Sequence, residues 1–104
     1  MNSEAIAKDK IDAWFAQWTT LQANIHEAHN ARNNTAKGLM EEAIALFEQL
    51  VQAAGEEVLP INGNERLAFI KAKPGQYACY RQLDELFKET KKRTARLRIQ
   101  ASKS

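Results

Sequence analysis

Apolar residues recur at alternating spacings of four and three from the start of the chain: Ala7, Ile11, Trp14, Trp18, Leu21, Ile25 and Ala28. Such spacing places them on one face of an α-helix. Phe15 widens that stripe, and Ser3 has the chemistry of an N-cap for it. The pattern stops at "ARNNT", because Asn33 and Asn34 favour turns and caps over helix interiors. Asn34 or Thr35 then caps a second helix, with an apolar arc of Met40, Ala43, Ile44, Phe47, Leu50, Val51 and Ala54 flanked by Leu39 and Leu46. Gly55 stands where a helix-terminating glycine belongs. "EEVLPI" reads as a connector, since Pro60 bars easy helical continuation.

Asn62 and Glu65 are three apart, the spacing of a capping box with Asn in place of Ser or Thr. A short third helix follows to about Ala72, with Leu67, Ala68 and Ile70 as its apolar residues. It is broken at "KAKPGQY". Pro74 disfavours a helical conformation at Lys73, and Gly75 permits positive φ, so the two together read as a corner. A fourth helix runs from about Gln76 to Gln100, with Tyr80, Leu83, Phe87, Thr90, Thr94 and Leu97 on one stripe and Leu86 beside it. Arg81, Lys88, Lys92 and Arg96 fall on the opposite face. Residues 101–104 read as a frayed tail.

Four such segments must bury their stripes against one another. The expectation is an all-α fold, an antiparallel bundle of three long helices plus one short helix, forming one domain over residues 1–100. No internal repeat or linker divides it. The composition agrees: with only four Gly and two Pro, helix is favoured over sheet.

Charge adds an asymmetry. Residues 1–55 hold four basic and seven acidic side chains, whereas residues 56–104 hold eleven and six. The excess of positive charge lies mostly in "KETKKRTARLR" at 88–98, so Arg81, Lys88, Lys91, Lys92, Arg96 and Arg98 form a candidate surface for an anionic partner. A solvated face explains the same residues, because Asp84–Lys88 and Glu89–Arg93 are acid-before-base pairs and bases near a helix C-terminus complement its dipole. No aromatic is interleaved with the bases, which argues against stacking of single-stranded nucleic acid.

Catalytic chemistry is not suggested. His26 and His29 are three apart, but "HEAHN" is one residue short of a zinc-protease motif and lacks a second His pair, so both read first as packing residues, with a metal site or a pH sensor as the alternative. Cys79 in "YACY" has no local base and reads as a small packing residue. "KAKPGQ" has too few converging N–H groups for a phosphate loop. Glu41 and Glu42, being adjacent, diverge by about 100° and cannot act as an acid/base pair. Nothing in the pattern calls for a cofactor. Trp14 and Trp18 read as core. A lone cysteine, a polar N-terminal "MNSEAIAKDKID" and the lack of a long apolar run lead to the expectation of a cytoplasmic protein with no membrane span.

"NGNERLAFIKAKPGQYACYRQLDELF" resembles the YpoC-like domain, a small bacterial family, through Asn62, Glu65, Arg66, Leu67, Ile70, Pro74, Tyr77, Gln82, Leu83, Leu86 and Phe87. The likeness covers about residues 40–95. The resemblance implies a protein of no assigned activity, from a family whose genes tend to lie near those of replication and repair. It also directs attention to Asn62, Glu65, Arg66, Pro74, Gly75 and Tyr77 as a structural corner, with Arg66 reaching a carboxylate or helix end and Tyr77 packed beneath. The functional expectation is a non-enzymatic module acting through protein contacts. The alternative is a nucleic-acid-associated accessory protein using the basic face of the last helix.

Overall fold

The computed structural model describes residues 6–32 and 34–103, and its described residues contain helices and no strand. The order is α1 (Lys8–Asn30), α2 (Thr35–Ala54), a 3-10 turn at Glu56–Val58, α3 (Gly63–Ala72) and α4 (Tyr77–Lys103). The fold is all-α. Pairings across the interfaces give the sense of the helices. Ile6, Gln22 and His29 of the α1 segment meet Arg98, Asp84 and Tyr77 of α4 in that order, so α1 and α4 run in opposite directions. Phe69 and Arg66 of α3 meet Cys79 and Glu89, so α3 and α4 do likewise. The 27 residues of α4, at about 1.5 Å each, account for most of the 49 Å long axis.

The stripes go inward. Ile11, Phe15, Trp18, Ile25 and Ala28 of α1 are buried, with Trp14 and Leu21 packed at the margin. At the start of α1 it is Ile6, wholly buried, that joins the core. Phe87 is the hub. Trp18 stacks on it with ring centres 4.2 Å apart and planes 9° from parallel, while Phe15 and Phe47 meet it edge-on at 5.8 and 5.1 Å. Such aromatic pairs add about 0.5–1.5 kcal/mol each beyond area burial. Thr90 and Thr94 are also fully buried on the α4 stripe.

The helix ends depart from the sequence expectation in instructive ways. Ser3 lies outside the described residues. Ala7 occupies the N-cap of α1 and makes no side-chain cap bond. Past the end of α1, Arg32 is left-handed at φ 54°; Asn33 lies outside the described residues, and Asn34 precedes α2 without capping it through its side chain. Gly55 does end α2, at φ 102° and ψ 151°, its N–H donating to the Val51 carbonyl at 2.8 Å. The capping box at Asn62 and Glu65 does not form. Asn62 is left-handed (φ 57°, ψ 24°) and makes no side-chain cap bond. A capping side chain needs the extended backbone that Asn62 gives up to turn the connector into α3. Ala68 faces solvent, leaving Leu67 and Ile70 as the buried apolar residues of α3. α4 continues three residues beyond Gln100, to Lys103.

Candidate functional site

The six bases proposed from the sequence as one surface are divided between different environments. At 100° per residue, Lys91 and Arg98 turn well away from Arg81, Lys88, Lys92 and Arg96. The Lys91 ammonium sits 5.7 Å from the centre of the Phe15 ring, and the Arg98 guanidinium donates to the Ile6 carbonyl at 3.2 Å. Both are thereby committed to α1 and the segment that leads into it. Lys88 pairs with Asp84 at 2.8 Å, which raises the lysine pKa chiefly through that hydrogen bond. Asp84 also accepts from Gln22 of α1 at 2.8 Å. Arg81, Lys92 and Arg96 stay exposed, and no ion pair engages them among the described residues.

Lys92 and Arg96 are one turn apart, and they border the connector between α2 and α3. Here a shallow cleft of about 260 Å³ is lined by Pro60, Ile61, Glu89, Lys92, Arg93 and Arg96. The connector is held at both ends. Arg93 donates through Nε to the Glu57 carbonyl, the Gly63 N–H donates to Pro60, and the Arg66 N–H donates to Asn62. The Arg66 side chain forks onto both oxygens of Glu89, and burial of its neighbourhood does not prevent the pair from holding the Glu89 carboxyl below its usual range. The hydrogen bond from Arg66 is the largest cause. Ile61, between these restraints, is 80% exposed.

The corner at Pro74 is built differently from its sequence reading. Lys73 leaves the helix at φ −142° as the following proline requires. Gly75, however, does not use positive φ; only Gly55 does among the described glycines. Tyr77 does not lie beneath the corner. It is exposed and meets the His29 ring edge-on at 5.3 Å, with Tyr80 at 5.6 Å. Glu65 is exposed on α3.

Among the described residues, chemistry-bearing groups do not converge elsewhere. Cys79 is fully buried, its thiol pushed to higher pKa by burial, which suppresses the thiolate. Its Sγ lies 3.9 Å from the Phe69 carbonyl. His26 is exposed near Tyr80, while His29 presents a buried Nε2 that lacks a hydrogen-bond partner among the described residues. No group of three or more His, Cys, Asp or Glu among the described residues could hold a metal ion. Glu41, Glu42, Glu56 and Glu57 are exposed. Two further depressions, of about 400 and 450 Å³, flank the Lys71–Glu48 ion pair between α2 and α3 and mix charged with apolar walls.

Three residues escaped the sequence reading. Helical spacing pairs Glu89 with Arg93 on its own helix, whereas its partner in the fold, Arg66, is 23 positions away. Ile61 lies in the connector, where no periodicity marks a lone apolar residue in a turn. Gly63, which opens α3, is buried against Leu59. Its signal was available as a glycine in "NGN", a place where close backbone approach is common.

The family model described as YpoC-like protein matches residues 8–102, which takes in α1 as well as the later segments. A curated relative, described as uncharacterized protein YpoC from Bacillus subtilis (strain 168), is 32% identical over 95 residues. That alignment covers 75% of this chain and 58% of the relative, so the chain spans under two thirds of the relative's length. No solved structure matches. No helix among the described residues is long and apolar enough to cross a membrane.

Proposed function

The chain belongs to the YpoC-like protein family, and for this member we propose a non-enzymatic role in the cytoplasm as a protein-interaction module working through the exposed side of α4. One observation carries the reading. Lys92 and Arg96 stand exposed one turn apart, without an ion-pair partner among the described residues, beside an exposed isoleucine. Unpaired charge next to exposed apolar surface is the composition of a contact site, where apolar burial supplies affinity and charge supplies orientation and rate. The lone buried cysteine supports a reducing compartment. Affinity capture from the cell of origin, with a Lys92→Glu/Arg96→Glu variant as control, tests the reading. Specific proteins lost with the variant are the expected result. An identical set from both baits removes it.

A second reading has its own support. Arg81, Lys88, Lys92 and Arg96 share one exposed face of α4, a geometry able to neutralise backbone phosphates. Glu85 lies on that face as well and interacts with Lys88 and Arg66, which dilutes the charge. Titration with duplex DNA and with RNA at rising salt tests this reading. A phosphate binder weakens with a log–log slope of about −0.9 per contact on duplex DNA. Absence of binding at low salt eliminates it.

A further inference from the structure

We propose that the cleft between the α2–α3 connector and α4 docks an acidic segment of a partner protein that also carries a large aliphatic or aromatic side chain. The proposal rests on the protein-interaction reading above and adds the location and the chemistry of the occupant.

Ile61 is the first reason. An exposed isoleucine on a loose loop tip calls for no explanation. This one is mounted rigidly. Val58, Pro60 and Gly63 around it are buried. The Ile61 carbonyl faces Arg66 Nη1 at 3.5 Å, and Gly63 N–H closes the turn onto Pro60 at 2.9 Å. A preorganised apolar knob loses little conformational freedom when a partner covers it.

Charge is the second. Of the charged residues lining the cleft, Glu89 is paired with Arg66 and only weakly influenced by Lys92, while the Arg93 guanidinium keeps its charge but is held in place on the neutral Glu57 carbonyl. Lys92 and Arg96 remain, so the rim beside Ile61 is positive. A wholly apolar partner would strip water from both cations without replacing it. A nucleic-acid backbone would satisfy them and leave Ile61 uncovered. Carboxylates alternating with apolar side chains satisfy both requirements. At about 260 Å³ the cleft falls below the roughly 300–1,000 Å³ that encloses small-molecule ligands, which suits one side chain of a larger molecule.

The test is selection of a random dodecapeptide library on the full chain, followed by fluorescence-anisotropy titration of the recovered peptides. Net-negative peptides with Leu, Ile or Phe between carboxylates should be enriched. Their affinity should fall about tenfold or more on Ile61→Ser, and likewise on Lys92→Glu/Arg96→Glu, as for anchor residues of an interface. Phe69→Ser, which alters an exposed side chain outside this cleft, should leave it unchanged. Urea unfolding of each variant should match the wild type. Peptides without acidic enrichment, affinities indifferent to Ile61→Ser, or no enrichment at all overturn the proposal. If cellular capture still depends on Lys92 and Arg96 while Ile61→Ser is silent, the interaction reading stands and this docking site falls. If only duplex DNA binds, unaffected by Ile61→Ser, the nucleic-acid reading replaces both.

Discussion

Arg66 and Glu89 form a two-pronged bridge between α3 and α4, Nη1 to Oε1 at 3.2 Å and Nη2 to Oε2 at 2.6 Å. The pair stands one turn from Lys92 and anchors the connector through the Ile61 carbonyl. Together with the Arg93 bond to the Glu57 carbonyl, the bridge ties the connector and the short α3 to the long helix.

The bridge makes stability depend on acid. Glu89 is held below its ordinary pKa, first by the Arg66 hydrogen bond. A carboxyl depressed in the folded state contributes stability above its unfolded value, about 4.3, and loses it as pH falls through the lower folded value. The pair is partly solvated, its side chains 23% and 38% exposed, so the contribution is discounted to about 1 kcal/mol. Glu89→Gln should therefore cost about that much at pH 7 and very little at pH 2–3. Chemical denaturation across that range measures it. An equal cost at both ends would mean that the bridge does not act through charge.

Two glycines should respond differently to alanine. A Cβ at Gly63 would fall 2.5 Å from Leu59 Cγ, so Gly63→Ala should cost about 1–3 kcal/mol despite alanine's better helix propensity. At Gly75 the nearest atom is Lys37 Cβ at 3.6 Å, an ordinary contact. Gly75→Ala should be neutral or stabilise by up to about 1 kcal/mol by restricting the unfolded chain. Thermal unfolding of both variants decides the matter. Destabilisation at Gly75 would show that the corner needs a glycine conformation after all.

Thr90 buries a hydroxyl that has no partner among the described residues, although its neighbour on the stripe, Thr94, bonds the Lys91 carbonyl at 2.8 Å. Thr90→Val keeps the shape and removes the unpaired group. It should stabilise the protein by about 1–2 kcal/mol, whereas Thr94→Val should cost about 1 kcal/mol. Urea titrations followed by far-ultraviolet dichroism compare them directly. A loss on Thr90→Val would reveal a hydrogen bond at that position.

Trp18 and Trp14 lie one turn apart in the sequence pattern and differ in burial. Trp18 is 4% exposed and stacked on Phe87, while Trp14 is only packed against the margin of the core. Trp18→Ala should cost about 3–5 kcal/mol, a large part of the roughly 5–15 kcal/mol available to a domain of this size. Trp14→Ala should cost clearly less. Equal midpoints in urea would contradict the hub role of Phe87.

Most of the architecture was readable from periodicity. The inward stripes of α1, α2 and α4, the stop at Gly55, the span of α3 and the break before Pro74 are all consequences of local spacing and backbone chemistry. Those properties act within a few residues and need no knowledge of the neighbours. Departures gather where two local devices would serve the same turn. Asn62 could cap or bend, and the route of the connector into α3 required bending. Proline already made the corner at residue 74, so Gly75 had no further turn to supply.

The surface is where the linear chain is least informative. A run such as "KETKKRTARLR" winds its charges around the helix, and the axis of α1 decides which of them are consumed. Lys91 and Arg98 are drawn to Phe15 and Ile6, Lys88 is held by Asp84, and Lys92 and Arg96 are left beside Ile61. Burial is selected residue by residue through hydrophobicity, which is why the core follows from composition and spacing. The pairing of long polar side chains depends on how far apart two helix axes lie and how they are rotated, quantities that exist only once the helices have packed.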